Sequence, residues 1–375
     1  MREPSIEIVN HGTVSGRMDS AGPASAADAR SGTAGMTQPS SPATPWRAGL
    51  ATGVGSLPGT DPDEAARLVA GDLPDLPHLS ELPDRGPGAD MLGRALALAV
   101  DMPAEVTPFG WRLARRPGSD IRRARDFLRW DLDAAEQHYA GSAWVKVQVA
   151  GPWTLAAHVE TPSGNRAVTD AGAVRDLAAS LAEGVAAHIA DVSKRLPATG
   201  VVVQIDEPSL PSVLAGALPT ASGFGAVPAV TAPDAAQLLA GLVGALAGRP
   251  TVVHCCHPDI PLALLRGAGF DALSLDLSAS VTLPAAALDQ VGEAVEDGAV
   301  LLAGLVPTRE PSSSPDFKAV AAPLLDLWHR LGLPDARLRQ VVVTPTCGLA
   351  GATPEWARRA LALARDAAKL IAERS

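Results

Sequence analysis

The residues with the most chemical potential in this chain stand in Val252-Val253-His254-Cys255-Cys256-His257-Pro258, where an apolar run ends in a histidine and a cysteine two places apart. Successive side chains of a strand point to opposite faces, so His254 and Cys256 share one face and Cys255 takes the other. Imidazole nitrogen and thiolate sulfur are both ligands that zinc accepts in four-coordinate sites, and the remaining ligands must come from elsewhere in the chain. One source is Cys347, in Thr344-Pro345-Thr346-Cys347-Gly348-Leu349, where the glycine permits a tight turn that presents the thiol. Another is Asp276, which ends Leu273-Ser274-Leu275-Asp276 on the same face as Ser274. His257 competes as a ligand, but alternation and the following Pro258 aim it elsewhere. The competing reading has no metal: buried cysteines are common core residues, Asp276 caps a helix or pairs with an arginine, and Cys347 is an inert turn residue.

One imidazole, two thiolates and a carboxylate leave zinc with a formal charge of about −1, which makes it a poor activator of water. Such a centre is better suited to holding a substrate thiol as thiolate, because metal binding lowers the thiol's pKa while the nucleophile survives. The expected reaction is alkyl transfer to that thiol. In Val201-Val202-Val203-Gln204-Ile205-Asp206-Glu207-Pro208 the alternation sets Gln204 and Asp206 on one face, so an inward carboxylate near the metal is placed to hold a substrate ammonium. Glu81, in Leu79-Ser80-Glu81-Leu82-Pro83, offers a second carboxylate, and Ser56 with nearby backbone amides offers donors for a substrate carboxylate. A thiol, an amine and a carboxylate together describe an amino-acid thiol. Against this stands a plainer role for Asp206 and Glu207 as helix-capping or salt-bridged residues.

The elements that must position these groups alternate short apolar runs with longer Ala/Leu/Arg/Asp stretches of helical period. Strands are expected at 53–56, 78–82, 144–150, 200–205, 250–255, 272–276, 300–305 and 340–344. Helices are expected at 61–70, 89–98, 173–195, 232–247, 260–268, 284–296, 317–331 and 353–374. The long segment between the second and third strands, with Trp111 and the Arg112 to Arg125 stretch, reads as an insertion with its own helices. Nearly every expected strand ends in a chemically capable group, which a closed barrel would arrange in a ring around one site. An open doubly wound sheet would carry a glycine-rich first turn, and Gly55-Ser56-Leu57-Pro58-Gly59-Thr60 lacks the G-x-G-x-x-G spacing. The predicted fold is a single α/β (β/α)₈ barrel, a TIM barrel, over residues 47–375.

Residues 1–46 are rich in Ser, Ala, Gly, Thr and Pro without hydrophobic period and read as a disordered N-terminal tail, with Met18 or Met36 as alternative starts. The formal charge of −10 and the absence of any lysine or arginine run exclude a nucleic-acid binder. Three cysteines at unpatterned spacing fit a reducing compartment. No apolar stretch approaches the roughly 18 residues that span a bilayer, and the N-terminus lacks a secretion signal's basic start and apolar core. A soluble, cytoplasmic enzyme acting on a small molecule is expected.

Five motifs in this order resemble the catalytic C-terminal barrel of cobalamin-independent methionine synthase, among the uroporphyrinogen decarboxylase-like barrels: Val54-Gly55-Ser56-Leu57-Pro58, Gly151-Pro152-Trp153-Thr154, Gln204-Ile205-Asp206-Glu207-Pro208, His254-Cys255-Cys256 and Cys347-Gly348-Leu349. The resemblance runs from about Ala48 to the C-terminus. It implies that His254, Cys256 and Cys347 ligate zinc, and that Asp206, Glu81, Ser56 and the Val54 backbone hold homocysteine. Its methyl donor would be methyltetrahydrofolate, a methylated corrinoid protein or another methyl compound.

Four departures from the family pattern bear on mechanism. The family's carboxylate ligand is glutamate, whereas Asp276 is one methylene shorter. Its catalytic histidine would fall at Thr308 or Arg309, in Gly304-Leu305-Val306-Pro307-Thr308-Arg309, which makes Arg309 the candidate catalytic residue there. The aromatic that stacks on the folate pterin would fall near His158, with Trp153 close by in sequence. Full-length members carry an additional N-terminal barrel that helps to bind folate, and a 46-residue tail cannot take its place. These observations lead to a zinc-dependent homocysteine S-methyltransferase. Its alternatives are a zinc methyltransferase acting on another thiol with a corrinoid donor, and a degenerate paralogue that binds zinc or homocysteine without turnover. A uroporphyrinogen decarboxylase needs no metal and would leave His254, Cys256 and Cys347 without a purpose.

Overall fold

The valine-rich alternating runs fold as strands and the Ala/Leu/Arg/Asp stretches between them as helices. The computed structural model describes residues 44–220, 223–246, 248–278 and 285–375. The expected disordered tail therefore lies, over residues 1–43, outside the described residues. In chain order the strands are β1 (Ala104–Thr107), β2 (Gly110–Leu113), β3 (Trp144–Ala150), β4 (Gly200–Asp206), β5 (Thr251–Cys255), β6 (Ala272–Asp276), β7 (Val300–Val306) and β8 (Val341–Pro345). The helices are α1 (Pro62–Asp72), α2 (Met91–Leu98), α3 (Ser119–His138), α4 (Pro152–His158), α5 (Ala171–Arg195), α6 (Leu210–Leu214), α7 (Ala232–Ala245), α8 (Leu262–Gly267), α9 (Ala285–Glu296), α10 (Phe317–Leu331) and α11 (Pro354–Ala372). Several begin at a side-chain cap: Asp61 accepts from the amides of Asp63 and Glu64, and Thr353 from that of Trp356.

Strands β3 to β8 form one parallel sheet in sequential order, the pattern of a curled βα barrel. The two other expected strands are present as short bridging segments. Thr52 N donates to Val343 O at 3.1 Å and Val343 N to Leu50 O at 3.0 Å, which ties the first segment to β8. Leu57 N donates to Glu81 O at 2.9 Å, and Leu79 N to Lys146 O at 2.8 Å, which carries the connection on to β3. Pro58, Pro77 and Pro83 remove ladder donors in and around these segments, so neither propagates as a full strand. Gly53 answers to a close approach: a Cβ there would sit 2.2 Å from the His78 ring.

Alternation sorts the side chains into layers. On β4, Val201, Val203 and Ile205 join the main core under the helices, while Val202 joins Leu50, Leu76, Val252, Ala272, Leu302 and Val342 in a separate apolar cluster inside the sheet's curve. One step further along the same inward face stand Lys146, Gln148, Gln204, His254, Ser274 and Thr344, all buried. The interior therefore grades from hydrocarbon to polar toward the strands' C-terminal ends, where βα barrels carry their sites. The long segment between 82 and 144 differs from expectation in one respect. It holds an antiparallel hairpin, β1 with β2, besides its helices α2 and α3.

Candidate metal and thiol site

His254, Cys256 and Cys347 each offer a ligand atom within 4.8 Å of the others'. His254 is fixed from β5: its Nδ1 lies 3.0 Å from Ser274 Oγ on neighbouring β6, and its buried Nε2 makes no hydrogen bond among the described residues. A buried ring nitrogen without a partner is costly, and this one faces two sulfurs. Cys347 Sγ donates to Cys256 Sγ at 3.5 Å, far beyond a disulfide but near the roughly 3.7 Å that separates two thiolates on one tetrahedral zinc. The hydrogen bond from Cys347, working against burial, lowers the Cys256 thiol's pKa and raises that of Cys347. Burial disfavours charging His254, but the nearby Cys347 sulfur and the charge of Asp206 prevail and raise its pKa. Cys255 takes the opposite face, buried, with its thiol pushed up to about 12 mainly by burial. The chemistry of this donor set fits zinc.

Asp276 is not brought into this group. It is exposed at the end of β6, where Oδ1 accepts from Ser278 N at 3.0 Å and Ser278 Oγ at 2.7 Å, closing a local turn. Alternation places it correctly on the face of Ser274, but Ser274 is the residue on that face that reaches His254. The short carboxylate is satisfied by its own following residues, as Asp side chains commonly are.

Beneath the metal ligands lies a buried polar cluster. Asp206 Oδ1 accepts from Gln204 Nε2 at 2.7 Å, and burial raises its pKa against the opposing charges of His254 and Lys146. Glu81 Oε1 accepts from Gln148 Nε2 at 3.0 Å and lies 3.5 Å from Arg94 Nε. Arg94 is held in turn by Asp131, which also takes Arg85 at 2.8 Å. Lys146 stands at the centre, donating to Val54 O at 2.9 Å, Gln204 Oε1 at 2.8 Å and Gln148 Oε1 at 3.3 Å. The Val54 carbonyl also takes Gln204 Nε2 at 2.9 Å, so both its lone pairs are committed within the protein. Glu207 is turned away: its carboxylate accepts from Trp153 N, Thr154 N and Thr154 Oγ1 and caps α4. Capping thus falls to Glu207, while Asp206 faces the polar cluster.

Ser56 sits against the turn that carries Cys347. Its carbonyl accepts from Leu349 N at 2.8 Å, and a Cβ on Gly348 would lie 2.1 Å from its Oγ. Gly348 is thus required by close approach, and its φ lies outside the left-handed region expected of a tight glycine turn. Arg309 is exposed after β7, with its guanidinium over Gly351 in the loop after β8. His158 is exposed and bonded to Ser209, whereas Trp153 is buried in the main core with its indole N–H on Ala235 O at 3.2 Å. Trp153 is therefore a packing residue. A cavity of about 1060 Å³ lies between α5 and α7, lined by Trp153, Arg175 and Asp234 among others, and includes none of the metal-cluster residues.

Lys146, Gln148, Ser274 and Arg94 are members that sequence reasoning missed. The signal for the first two was present in Trp144-Val145-Lys146-Val147-Gln148-Val149-Ala150, where alternation puts both polar residues on one face of an otherwise apolar strand.

Residues 129–370, more than half of the chain, match the family described as "Cobalamin-independent synthase, Catalytic domain". The chain belongs to this family. The strands β3 to β8 and all three clustered metal-type ligands lie within the matched span. Among solved structures, the chain is similar to a B12-independent methionine synthase from Shewanella sp. W3-18-1 in complex with selenomethionine, with TM-score 0.53, 14% identity, and 87% of this chain and 98% of that chain covered. That likeness supports the barrel fold. A glycoside hydrolase (TM-score 0.41, 12% identity, 88% and 99% covered) and a D-allulose 3-epimerase from Methylomonas sp. (0.34, 13%, 67% and 92%) are more distantly similar. No curated protein sequence matches the chain. Among the described residues, no helix is long and apolar enough to cross a membrane.

Proposed function

We propose that this protein is a zinc-dependent methyltransferase that moves a methyl group to the thiol of homocysteine, giving methionine. The observation that carries the reading is the convergence of His254, Cys256 and Cys347 above a buried pair of carboxylates. His254 Nε2, Cys256 Sγ and Cys347 Sγ would hold zinc, which when bound stabilises a substrate thiol as thiolate. Asp276 enters the set only if its turn with Ser278 opens. Glu81 and Asp206 each commit one oxygen to a glutamine, and neither Oε2 nor Oδ2 makes a hydrogen bond with a described residue. Those two oxygens are the receptors for the substrate's ammonium. Ser56 Oγ and the neighbouring backbone amides receive its carboxylate, and the Val54 carbonyl contributes by fixing Lys146 and Gln204.

Arg309, an exposed cation after β7, is the candidate at the position of the family histidine. A folate donor needs a proton on its departing nitrogen, whereas a methylated corrinoid leaves without one, so turnover with each donor distinguishes methyltetrahydrofolate from a methylated corrinoid protein. Zinc content of the purified protein, homocysteine titration calorimetry and methionine formation with each donor test the reading together. The expected result is one zinc per chain, saturable homocysteine binding and methionine formation with one of the two donors. Absence of stoichiometric zinc, or unchanged zinc binding in Cys256→Ser, overturns it.

A further inference from the structure

Lys146 is fully buried, yet none of its three acceptors is a carboxylate. Burying an ammonium costs several kcal/mol unless its protons are placed, and the layer just below is filled by valines, alanine and leucines without such cost. Simple filling of the barrel interior therefore does not account for a lysine here. Its chemistry relative to the two glutamines does. An ammonium only donates, so it draws Oε1 of both Gln148 and Gln204 toward itself. Each amide's Nε2 is thereby turned to the far side, where Gln148 meets Glu81 at 3.0 Å and Leu79 O at 2.6 Å, and Gln204 meets Asp206 at 2.7 Å and Val54 O at 2.9 Å. A neutral residue at 146 would remove the donor that holds Oε1 of both amides and leave only the Leu79 and Val54 carbonyls, beside the carboxylates, to orient Nε2.

We infer that Lys146 is a positioning residue which, through Gln148 and Gln204, aims Glu81 and Asp206 as a pair at the α-ammonium of the acceptor, and so restricts the acceptor class to α-amino thiols. The inference rests on the homocysteine reading of the site and deepens it. Charge supports it as well. Glu81, Asp206 and Asp131 are matched in number by Lys146, Arg94 and Arg85.

The test compares homocysteine with 4-mercaptobutanoate, which lacks only the amino group, by calorimetric titration of the zinc-loaded protein. Parent protein should prefer homocysteine by at least about tenfold, the order expected of charged hydrogen bonds. Lys146→Met should erase most of that preference by weakening homocysteine alone, with zinc content and 4-mercaptobutanoate affinity retained. Gln148→Leu and Gln204→Leu keep the ammonium and cut one arm each, and should each lose part of the preference. They also decide the matter should Lys146→Met not fold. If the parent binds homocysteine but the glutamine variants keep the full preference, Lys146 is a filler and the inference is overturned. If the parent binds neither thiol, the homocysteine reading itself has failed.

Discussion

Replacing Ser274 by alanine removes one hydroxyl and no metal ligand, yet it should weaken zinc binding measurably. Ser274 Oγ lies 3.0 Å from His254 Nδ1, and both residues are almost without solvent exposure, at 1% and 3%. With Nδ1 donating to the hydroxyl, Nε2 keeps its lone pair and points it at the two thiols. Without the hydroxyl the Nδ1 proton is buried and unsatisfied, so the ring gains by moving its proton to Nε2 or by rotating. Loss of such an outer partner commonly lowers metal affinity about 10–100-fold, which is about 1.4–2.8 kcal/mol. Because water cannot reach the vacated place, the upper half of that range applies, about 30-fold or more. Competition with a chelator of known zinc affinity gives the dissociation constant directly, and a thermal melt of the metal-free protein gives the accompanying cost to the fold. A zinc affinity within about threefold of the parent's would refute the argument, and Ser274 would then be only a packing residue.

Other consequences follow from the same geometry. Arg94→Met leaves buried Asp131 with Arg85 alone and strips Glu81 of its arginine, and should cost about 3 kcal/mol of unfolding free energy in urea titration, the low end for a broken buried pair; a loss below about 1 kcal/mol would show that water reaches these acids. His188 is lowered to about 4 by burial, with Arg94 adding to the effect, so the folded state disfavours its proton. The unfolded chain then binds more protons between about pH 6.5 and pH 4, and stability falls as pH falls through that window, by about 3 kcal/mol in all. His188→Leu should flatten the urea-stability curve across those pH values, and an unchanged slope would assign the acid sensitivity to other groups. Chelation should expose Cys256 and Cys347 to maleimide labelling while buried Cys255 stays unlabelled, and zinc should protect both. Mass mapping of the labelled cysteines reads this out, and equal labelling with and without metal would argue against the ligand assignment.

How much of this was legible in the sequence depends on the range over which each signal acts. Strand alternation is local and rigid, so His254 against Cys255, and Gln204 with Asp206 on one face, could be read from the chain alone, as could six strands of the barrel. The two remaining segments could be placed but not shaped, since Ala51, Ser56, Glu81 and His78 pair through single bridges among prolines and glycines. The hairpin β1 with β2 gave way in reading to the arginine-rich helix that follows it. Asp276 shows a different limit. Its face was right, but whether a carboxylate reaches a metal or folds back on Ser278 is decided within one or two bonds, by a competition that periodicity cannot see. Lys146 and Gln148 were visible as polar residues on an inward face, yet inward polar residues acquire meaning only through partners brought from elsewhere in the chain: Val54 and Glu81 from the bridging segments, and Gln204 from β4. The candidate metal ligands announce themselves by residue type. The groups that hold the two buried carboxylates are ordinary glutamines and a lysine, and only closure of the barrel brings them together.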